Sequence, residues 1–157
     1  MTVIVRAAEP RDLASIGELA GHLVRQHHGF DAQRFMLIPN VEVGYARFFS
    51  SELSNPNALI LAAERAGTIV GYAYARLEAR DWNALLDSCG ALHDIFVNDD
   101  VRRQGVARRL VDAVREELRG KGAPRLVLHT ASKNVAARQF FAAMGFRETM
   151  VELTAEL

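Results

Sequence analysis

The sequence has little cysteine and no excess of charge of either sign. Its 157 residues include a single cysteine, Cys89, so they cannot form an internal disulfide, and the disulfide-rich secreted scaffolds are excluded. Lys plus Arg number 19, and Asp plus Glu also number 19. A general nucleic-acid-binding domain usually shows a clear basic excess, so we expect no nucleic-acid partner. A reducing cytoplasm suits a chain of this kind.

Long hydrophobic runs are also missing. No apolar stretch approaches the roughly 18 residues needed to span a bilayer, and the first residues lack the basic and apolar segments of a signal peptide. We therefore expect no membrane partner. Half of the residues are hydrophobic and 24% are charged, which is typical of a folded globular protein. The length suits one domain, and no linker or repeat divides it, so the sequence predicts a single domain over 1–157.

The hydrophobic pattern predicts a mixed order of strands and helices. A β-hairpin over residues 58–78 indicates an antiparallel first half, and residues 91–130 read as a β-α-β unit. Periodicity and helix-breaking residues predict helices over 10–29, 41–53, 105–119 and 135–144. The remaining strands are predicted over 3–5, 91–97 and 125–130, with a last strand over 146–153.

Two common nucleotide-binding loops are absent. A Walker loop requires Gly-Lys-Ser/Thr, and no such triplet occurs. A dinucleotide fingerprint requires three spaced glycines in the first β-α turn, where this chain has Ala7-Ala8-Glu9-Pro10. A nicotinamide oxidoreductase is therefore a weak alternative.

A different anion-binding pattern is present, where an apolar strand is followed by a strongly amphipathic helix. Residues 102–107 read Arg-Arg-Gln-Gly-Val-Ala. The first turn of a helix offers free backbone N–H groups and the positive end of the helix dipole, and together these hold a phosphate. Gly105 and the small Ala107 let the backbone approach such a ligand. Flanking arginines add positive charge at Arg102, Arg103, Arg108 and Arg109.

This stretch, Arg102-x-x-Gly105-x-Ala107, resembles the Q/R-x-x-G-x-G/A signature of the GCN5-related N-acetyltransferase (GNAT) superfamily. Residues 92–97, Leu-His-Asp-Ile-Phe-Val, are similar to the fourth strand of that family. Residues 134–146 resemble its later helix, usually written N-x-x-A-x-x-F/L-Y-x-x-x-G-F. The order of elements agrees over nearly the whole chain. The resemblance implies one mixed α/β domain with a central, mostly antiparallel sheet flanked by helices, in which a parallel β4/β5 pair splays apart.

The resemblance also implies acetyl-coenzyme A as cosubstrate. In the family, the backbone of the fourth strand pairs with the pantetheine arm, and the loop amides bind the pyrophosphate. Asn134 is expected to contact the pantetheine or to begin the helix packed beside it. The cofactor-binding residues expected on this basis are Ile95, Phe96, Val97, Arg102, Arg103, Gln104, Gly105, Val106, Ala107, Arg108, Asn134 and Phe141.

His93 and Asp94 are the candidate catalytic residues, because the enzyme must remove a proton from the acceptor ammonium. Histidine titrates near neutral pH and suits a base, whereas aspartate suits holding a cationic amine. Neighbours on a regular strand face opposite sides, so we expect only one of them to reach the substrate directly. The family's usual thiolate acid is a tyrosine, in the place where this chain has Phe141. Tyr72, Tyr74 or a water remain as alternative acids, and the thiolate can also leave unprotonated.

The sequence therefore predicts an N-acetyltransferase in which a primary amine attacks the thioester of acetyl-coenzyme A directly. A cationic small-molecule acceptor is favoured by four carboxylates near the predicted pocket, Glu78, Asp81, Asp87 and Asp94. Two alternatives remain open: a module that binds acyl-coenzyme A without catalysis, and an enzyme that acetylates a protein amine. Family members often dimerise, so a homodimer is also considered. No metal is expected, because His22, His27 and His28 lack a carboxylate or cysteine framework.

Overall fold

The computed structural model describes residues 2–157 and places helices on both faces of a five-stranded sheet. The strands are β1 Val3–Ala7, β2 Ala58–Arg65, β3 Thr68–Glu78, β4 Cys89–Val97 and β5 Leu126–Leu128. The helices are α1 Leu13–Phe30, α2 Val41–Glu52, α3 Val106–Gly120 and α4 Val135–Ala143, with short 3-10 turns at Pro10–Asp12 and Asp99–Val101. No helix among these is long and apolar enough to cross a bilayer.

The sheet has the order β1-β2-β3-β4-β5. The first three pairs are antiparallel and β4 pairs with β5 in parallel, which confirms the predicted mixed fold. The β4–β5 pairing is confined to Gly90–Leu92 opposite Leu126–Leu128. Beyond Leu92 the two strands are no longer paired, so the expected opening lies next to residues 93–97 of β4.

Side-chain alternation along β3 divides the core into two layers. Ala73 and Ala75 contribute to the layer formed with α3 and α4. Tyr72 and Tyr74 face the other way and pack in the layer formed with α1 and α2. The α1/α2 face of β3 therefore carries the polar, aromatic side chains, and the candidate site is built on this face.

The prediction of a last strand over residues 146–153 is wrong. These residues form no regular secondary structure, and residues 147–157 are all exposed. A strand requires a partner, and β5 is only three residues long instead of the predicted six. Residues 146–153 contact the rest of the domain through side chains instead, in the ion pairs Arg138–Glu148 and Arg34–Glu152.

Candidate active site

A β-bulge in β4 places two neighbouring side chains on the same face of the sheet. Tyr74 pairs with Asp94 and Ala75 pairs with Leu92, so His93 has no partner on β3. An extra residue of this kind interrupts the alternation of side chains. Leu92 packs in the α3/α4 layer, whereas both His93 and Asp94 line one cavity on the α1/α2 face. The expectation that strand alternation separates His93 from Asp94 is therefore wrong.

This cavity, the acceptor cavity, lies between α2 and the strands β3 and β4. Its volume is about 310 Å³, and it is lined by Tyr45, Phe48, Tyr74, Arg76, Glu78, His93 and Asp94. Tyr45 and Phe48, the two α2 residues in this lining, were not predicted from the sequence. Their spacing of three residues puts both aromatic rings on one face of the helix, and this spacing is the signal that could have identified them. The Phe48 ring meets the Tyr74 ring edge-on at 5.6 Å.

His93 is held in a defined orientation by two neighbours. Its Nε2 lies 2.7 Å from Glu78 Oε1, and its ring stacks on Tyr74 with centroids 5.6 Å apart. An ionised carboxylate accepts a hydrogen bond, so this contact assigns the proton to Nε2 when the imidazole is neutral. The other ring nitrogen, Nδ1, then carries the lone pair that can take up a proton.

Asp94 is a half-buried carboxyl group with one hydroxyl donor. The Tyr72 hydroxyl donates to Asp94 Oδ2 over 3.0 Å. Burial raises the pKa of Asp94 because it disfavours the charged form, while the hydrogen bond from Tyr72 acts in the opposite direction. A carboxylate in such a place gains from a cationic partner, so Asp94 is suited to bind an ammonium group.

The two tyrosines considered as acids already have hydroxyl partners. Tyr72 donates to Asp94, and Tyr74 donates to the buried carboxylate of Glu52. Burial raises the pKa of both phenols, and the neighbouring carboxylates raise them further, which makes both groups poorer acids. Phe141 lies in the α3/α4 layer, only 7% exposed, with its ring against Phe140 and Phe146.

The turn before α3 has the features of an anion site. Gly105 adopts φ +78°, which favours glycine, and a Cβ built there meets no atom within 4 Å. No side chain caps the helix. The backbone amides of Gln104, Gly105, Val106 and Ala107 donate to no acceptor among residues 2–157. These free amides and the open space above Gly105 fit the pyrophosphate of a coenzyme A.

The arginines around this turn differ in what their side chains contact. Arg102 donates to the Val97 carbonyl, pairs with Asp99 and lies 5.5 Å from the Phe96 ring centroid, so it fixes the end of β4. Gln104 contacts the Asp100 carbonyl at 3.4 Å. Three exposed arginines make no ion pair within the described chain. Arg109 donates a hydrogen bond to the Val3 carbonyl, whereas Arg103 and Arg108 are available to a phosphate.

The splayed strands form the opening in which the second half of a coenzyme A site is expected. Ile95, Phe96 and Val97 pair with β3 on one edge, and on the other edge β5 has already ended its pairing at Leu92. Their free edge is where the resemblance places the pantetheine arm. Asn134 is the N-cap of α4 and accepts a hydrogen bond from the Ala137 amide at 3.1 Å, which matches the expected role of beginning that helix.

No cluster of three or more His, Cys, Asp or Glu side chains within residues 2–157 is arranged to hold a metal ion. Of the four carboxylates named from the sequence, two line the acceptor cavity, Glu78 and Asp94. Asp81 caps its own loop, and Asp87 pairs with Arg80.

Residues 24–146 match the model of a family described as the Acetyltransferase (GNAT) family. The uncharacterized N-acetyltransferase YhfO of Bacillus subtilis (strain 168) is 28% identical over 144 residues, which cover 92% of this chain and 89% of that protein. The D-amino-acid N-acetyltransferase HPA3 of Saccharomyces cerevisiae is 24% identical over 150 residues, or 95% of this chain and 88% of HPA3.

The solved structure of the aminoglycoside N-acetyltransferase AAC(6')-Iy in complex with CoA has the same fold. The TM-score is 0.81 at 21% sequence identity, with 99% of this chain and 95% of that chain covered. At this identity, the likeness establishes the overall fold alone.

Proposed function

Because the chain belongs to the acetyltransferase (GNAT) family, whose cosubstrate is acetyl-coenzyme A, we propose that it transfers an acetyl group from acetyl-coenzyme A to the primary amine of a small molecule. The observation that carries this proposal is the bulge at His93. It brings the His93 imidazole and the Asp94 carboxylate into one cavity at β4, and we expect an amine bound there to lie next to the expected thioester position.

Each part of the site has a role in this reaction. The free amides before α3 and the open edge of Ile95–Val97 bind the cosubstrate, which supplies the activated acyl group. Asp94 binds the acceptor as an ammonium ion. His93 takes one proton from it, and Glu78 stabilises the imidazolium that results. The neutral amine then attacks the carbonyl carbon and a C–N bond forms. The nitrogen loses its second proton to water as the C–S bond breaks and the thiolate leaves.

The leaving thiolate needs no protein acid in this scheme. The raised phenol pKa values of Tyr72 and Tyr74 disfavour proton donation near neutral pH. A thiol has an ordinary pKa of about 8.5, so the thiolate is a tolerable leaving group and water can protonate it. Most of the rate enhancement is then expected from positioning of the amine against the thioester.

The size of the cavity favours a small-molecule acceptor over a protein amine. About 310 Å³ is enough for a compact metabolite. The names of two similar proteins, which act on D-amino acids and aminoglycosides, support the same class of acceptor. Release of free thiol from acetyl-coenzyme A over a panel of small amines and amine-bearing peptides tests the proposal. Binding of coenzyme A without thiol release from any compound would favour the non-catalytic alternative.

A homodimer joined through residues 147–157 is also proposed. β5 is an edge strand of the sheet, and this segment makes no backbone hydrogen bond within residues 2–157. Its Met150, Val151 and Leu153 are 77%, 73% and 89% exposed. An open strand edge and unburied apolar residues both favour pairing with a second copy.

Light scattering on the purified protein tests the dimer. We expect Val151→Lys combined with Leu153→Lys to give a monomer, because the charges must be desolvated at any pairing surface. Val43→Lys is the matched control, since Val43 is also apolar and 59% exposed but lies on α2. A wild-type mass of one chain at micromolar concentration would contradict the dimer.

A further inference from the structure

Arg76 has unused hydrogen-bonding capacity beside the acceptor cavity. Its Nε is buried and has no hydrogen-bond partner, and it is the one buried side-chain nitrogen or oxygen in residues 2–157 for which this holds. Buried polar groups are nearly always paired, and a guanidinium loses more than a neutral group when it is not. The missing partner therefore requires an explanation.

Glu52 does not provide that partner. Its Oε2 lies 3.6 Å from Arg76 Nε, which is beyond hydrogen-bonding distance. The Glu52 carboxylate instead accepts hydrogen bonds from the Tyr74 hydroxyl and from Asn55 Nδ2. Glu52 therefore lies close enough to balance the charge of Arg76, but it does not accept a hydrogen bond from Nε. The Arg76 side chain remains 33% exposed and lines the acceptor cavity.

The position of Arg76 relative to Asp94 sets the size of a ligand that contacts both. Tyr74, Arg76 and Glu78 alternate along β3 and line the same cavity, and Asp94 lies opposite Tyr74. Two residues along a strand span about 7 Å. With a hydrogen bond at each end, a molecule bridging Asp94 and Arg76 has its ammonium and its anionic group only a few ångström apart.

The rest of the cavity wall determines which substituent the acceptor can have besides its ammonium and its anionic group. Tyr45 and Phe48 present aromatic rings from α2 on the side facing the sheet. Aromatic surfaces favour an apolar or aromatic substituent. Arg76 is the one permanently charged cation in the cavity lining, next to the two carboxylates of Glu78 and Asp94.

We propose that the acceptor is an amino acid with an apolar or aromatic side chain, whose carboxylate is bound by Arg76 while its ammonium group is bound by Asp94. This inference rests on the proposed acetyl transfer and adds the anionic group that the acceptor must carry. Arginine pairs with carboxylates in a forked, bidentate way, and the exposed part of the Arg76 guanidinium, rather than the buried Nε beside Glu52, is the part that a carboxylate in the cavity can contact.

Matched acceptors test the requirement for the carboxylate. Phenylalanine, in both enantiomers, is compared with its methyl ester and with phenethylamine, which has the same ring and amine but no carboxylate. The readout is kcat/KM from thiol release. A charged hydrogen bond is worth about 1.5–3 kcal/mol, so we expect one phenylalanine enantiomer to exceed phenethylamine by roughly 10-fold to 100-fold. Equal kcat/KM for phenethylamine and phenylalanine would overturn the inference and leave the acetyltransferase proposal standing.

Variants of Arg76 test whether this side chain binds the carboxylate of the acceptor. Arg76→Met should lower kcat/KM for phenylalanine by at least about 10-fold more than for phenethylamine, mainly through KM, because a charged hydrogen bond is lost. Arg76→Lys should recover part of the preference, since it keeps the charge but not the fork. Arg80→Met is the control, because Arg80 is exposed and pairs with Asp87 outside the cavity. Persistence of the preference in Arg76→Met would also overturn the inference.

Loss of Arg76 alone leaves the carboxylate of Glu52 without its charge partner, so folding is checked by thermal denaturation. The double variant Glu52→Gln with Arg76→Met removes both charges and keeps an acceptor for the Tyr74 hydroxyl. Calorimetry with phenylalanine in the presence of coenzyme A separates the two proposals. Binding to wild type that is lost in the double variant supports the inference even if no compound is acetylated, whereas absence of binding to wild type overturns it.

Discussion

The Tyr72 hydroxyl donates a hydrogen bond to Asp94 Oδ2 across 3.0 Å. Tyr72 is fully buried between the sheet and the first two helices, and Asp94 lines the acceptor cavity. The bond therefore links the packing of the core to the charge state of the site. Because a donated hydrogen bond stabilises the carboxylate, it keeps Asp94 ionised at lower pH than burial alone would allow.

Replacement of Tyr72 by phenylalanine tests this link. In Tyr72→Phe the carboxylate loses its donor, so the pKa of Asp94 rises further and Asp94 ionises at higher pH. We expect the acidic limb of the kcat/KM profile to move to higher pH, with kcat/KM about 3-fold to 10-fold lower on that limb. Tyr74→Phe is the control, because the Tyr74 hydroxyl bonds to Glu52 and not to Asp94. An unmoved acidic limb would show that the ionisation of Asp94 does not set this limb and would leave the proposed base, His93, as the group that does.

Gly105→Val should abolish coenzyme A binding while the protein remains folded. The side chain would occupy the open space above the turn, and φ +78° strains a β-branched residue by roughly 1–2 kcal/mol. Gly122→Val is the matched control, since Gly122 has φ +92° and equally open surroundings just beyond the other end of α3. Calorimetry should show loss of coenzyme A binding in Gly105→Val only. Equal affinity of both variants would place the pyrophosphate elsewhere.

Arg103→Ala should weaken coenzyme A binding, more strongly at low salt than at high salt. Arg103 is exposed and makes no ion pair within residues 2–157, so its charge is available to a phosphate and is screened by added ions. We expect roughly a 3-fold to 10-fold rise in Kd at low ionic strength. Arg119→Ala, an exposed arginine at the far end of α3, is the control. A rise in Kd that is independent of salt would argue against a phosphate contact.

Arg102 illustrates how far the sequence alone could predict the site. The turn from Arg102 to Ala107 was identified correctly as a strand–loop–helix connection, because glycine, small residues and helix periodicity are local signals. The direction of the Arg102 side chain was not predictable, since its contacts with Val97 and Asp99 depend on how β4 ends. Local signals identify an anion-binding turn but not the individual arginines that face the anion.

The bulge and the last segment were missed for a related reason. Whether His93 alternates with Asp94 depends on the register between β3 and β4, which joins residues far apart in the chain. Likewise, residues 146–153 have strand-like composition, but a strand forms only where an edge accepts it. The cavity wall from α2, with Tyr45 and Phe48, also depends on tertiary packing.

Phe141→Tyr tests whether the missing family tyrosine limits the enzyme. Phe141 is 7% exposed and packs against Phe140 and Phe146, so an added hydroxyl must reach the opening between the strands or remain buried without a partner. A buried, unpaired hydroxyl costs about 1–3 kcal/mol, which thermal denaturation would detect. If the hydroxyl does reach the opening, we expect kcat to rise by up to roughly 10²-fold, with a new basic limb in the pH profile from the added acid. The contacts of the Phe141 ring favour the first result, which is lower stability with unchanged kcat.

Phe140→Tyr, on the partly buried neighbouring ring, is the control. A faster Phe141→Tyr enzyme with unchanged stability would contradict the assignment of Phe141 to the core and would show that thiolate protonation limits the wild type.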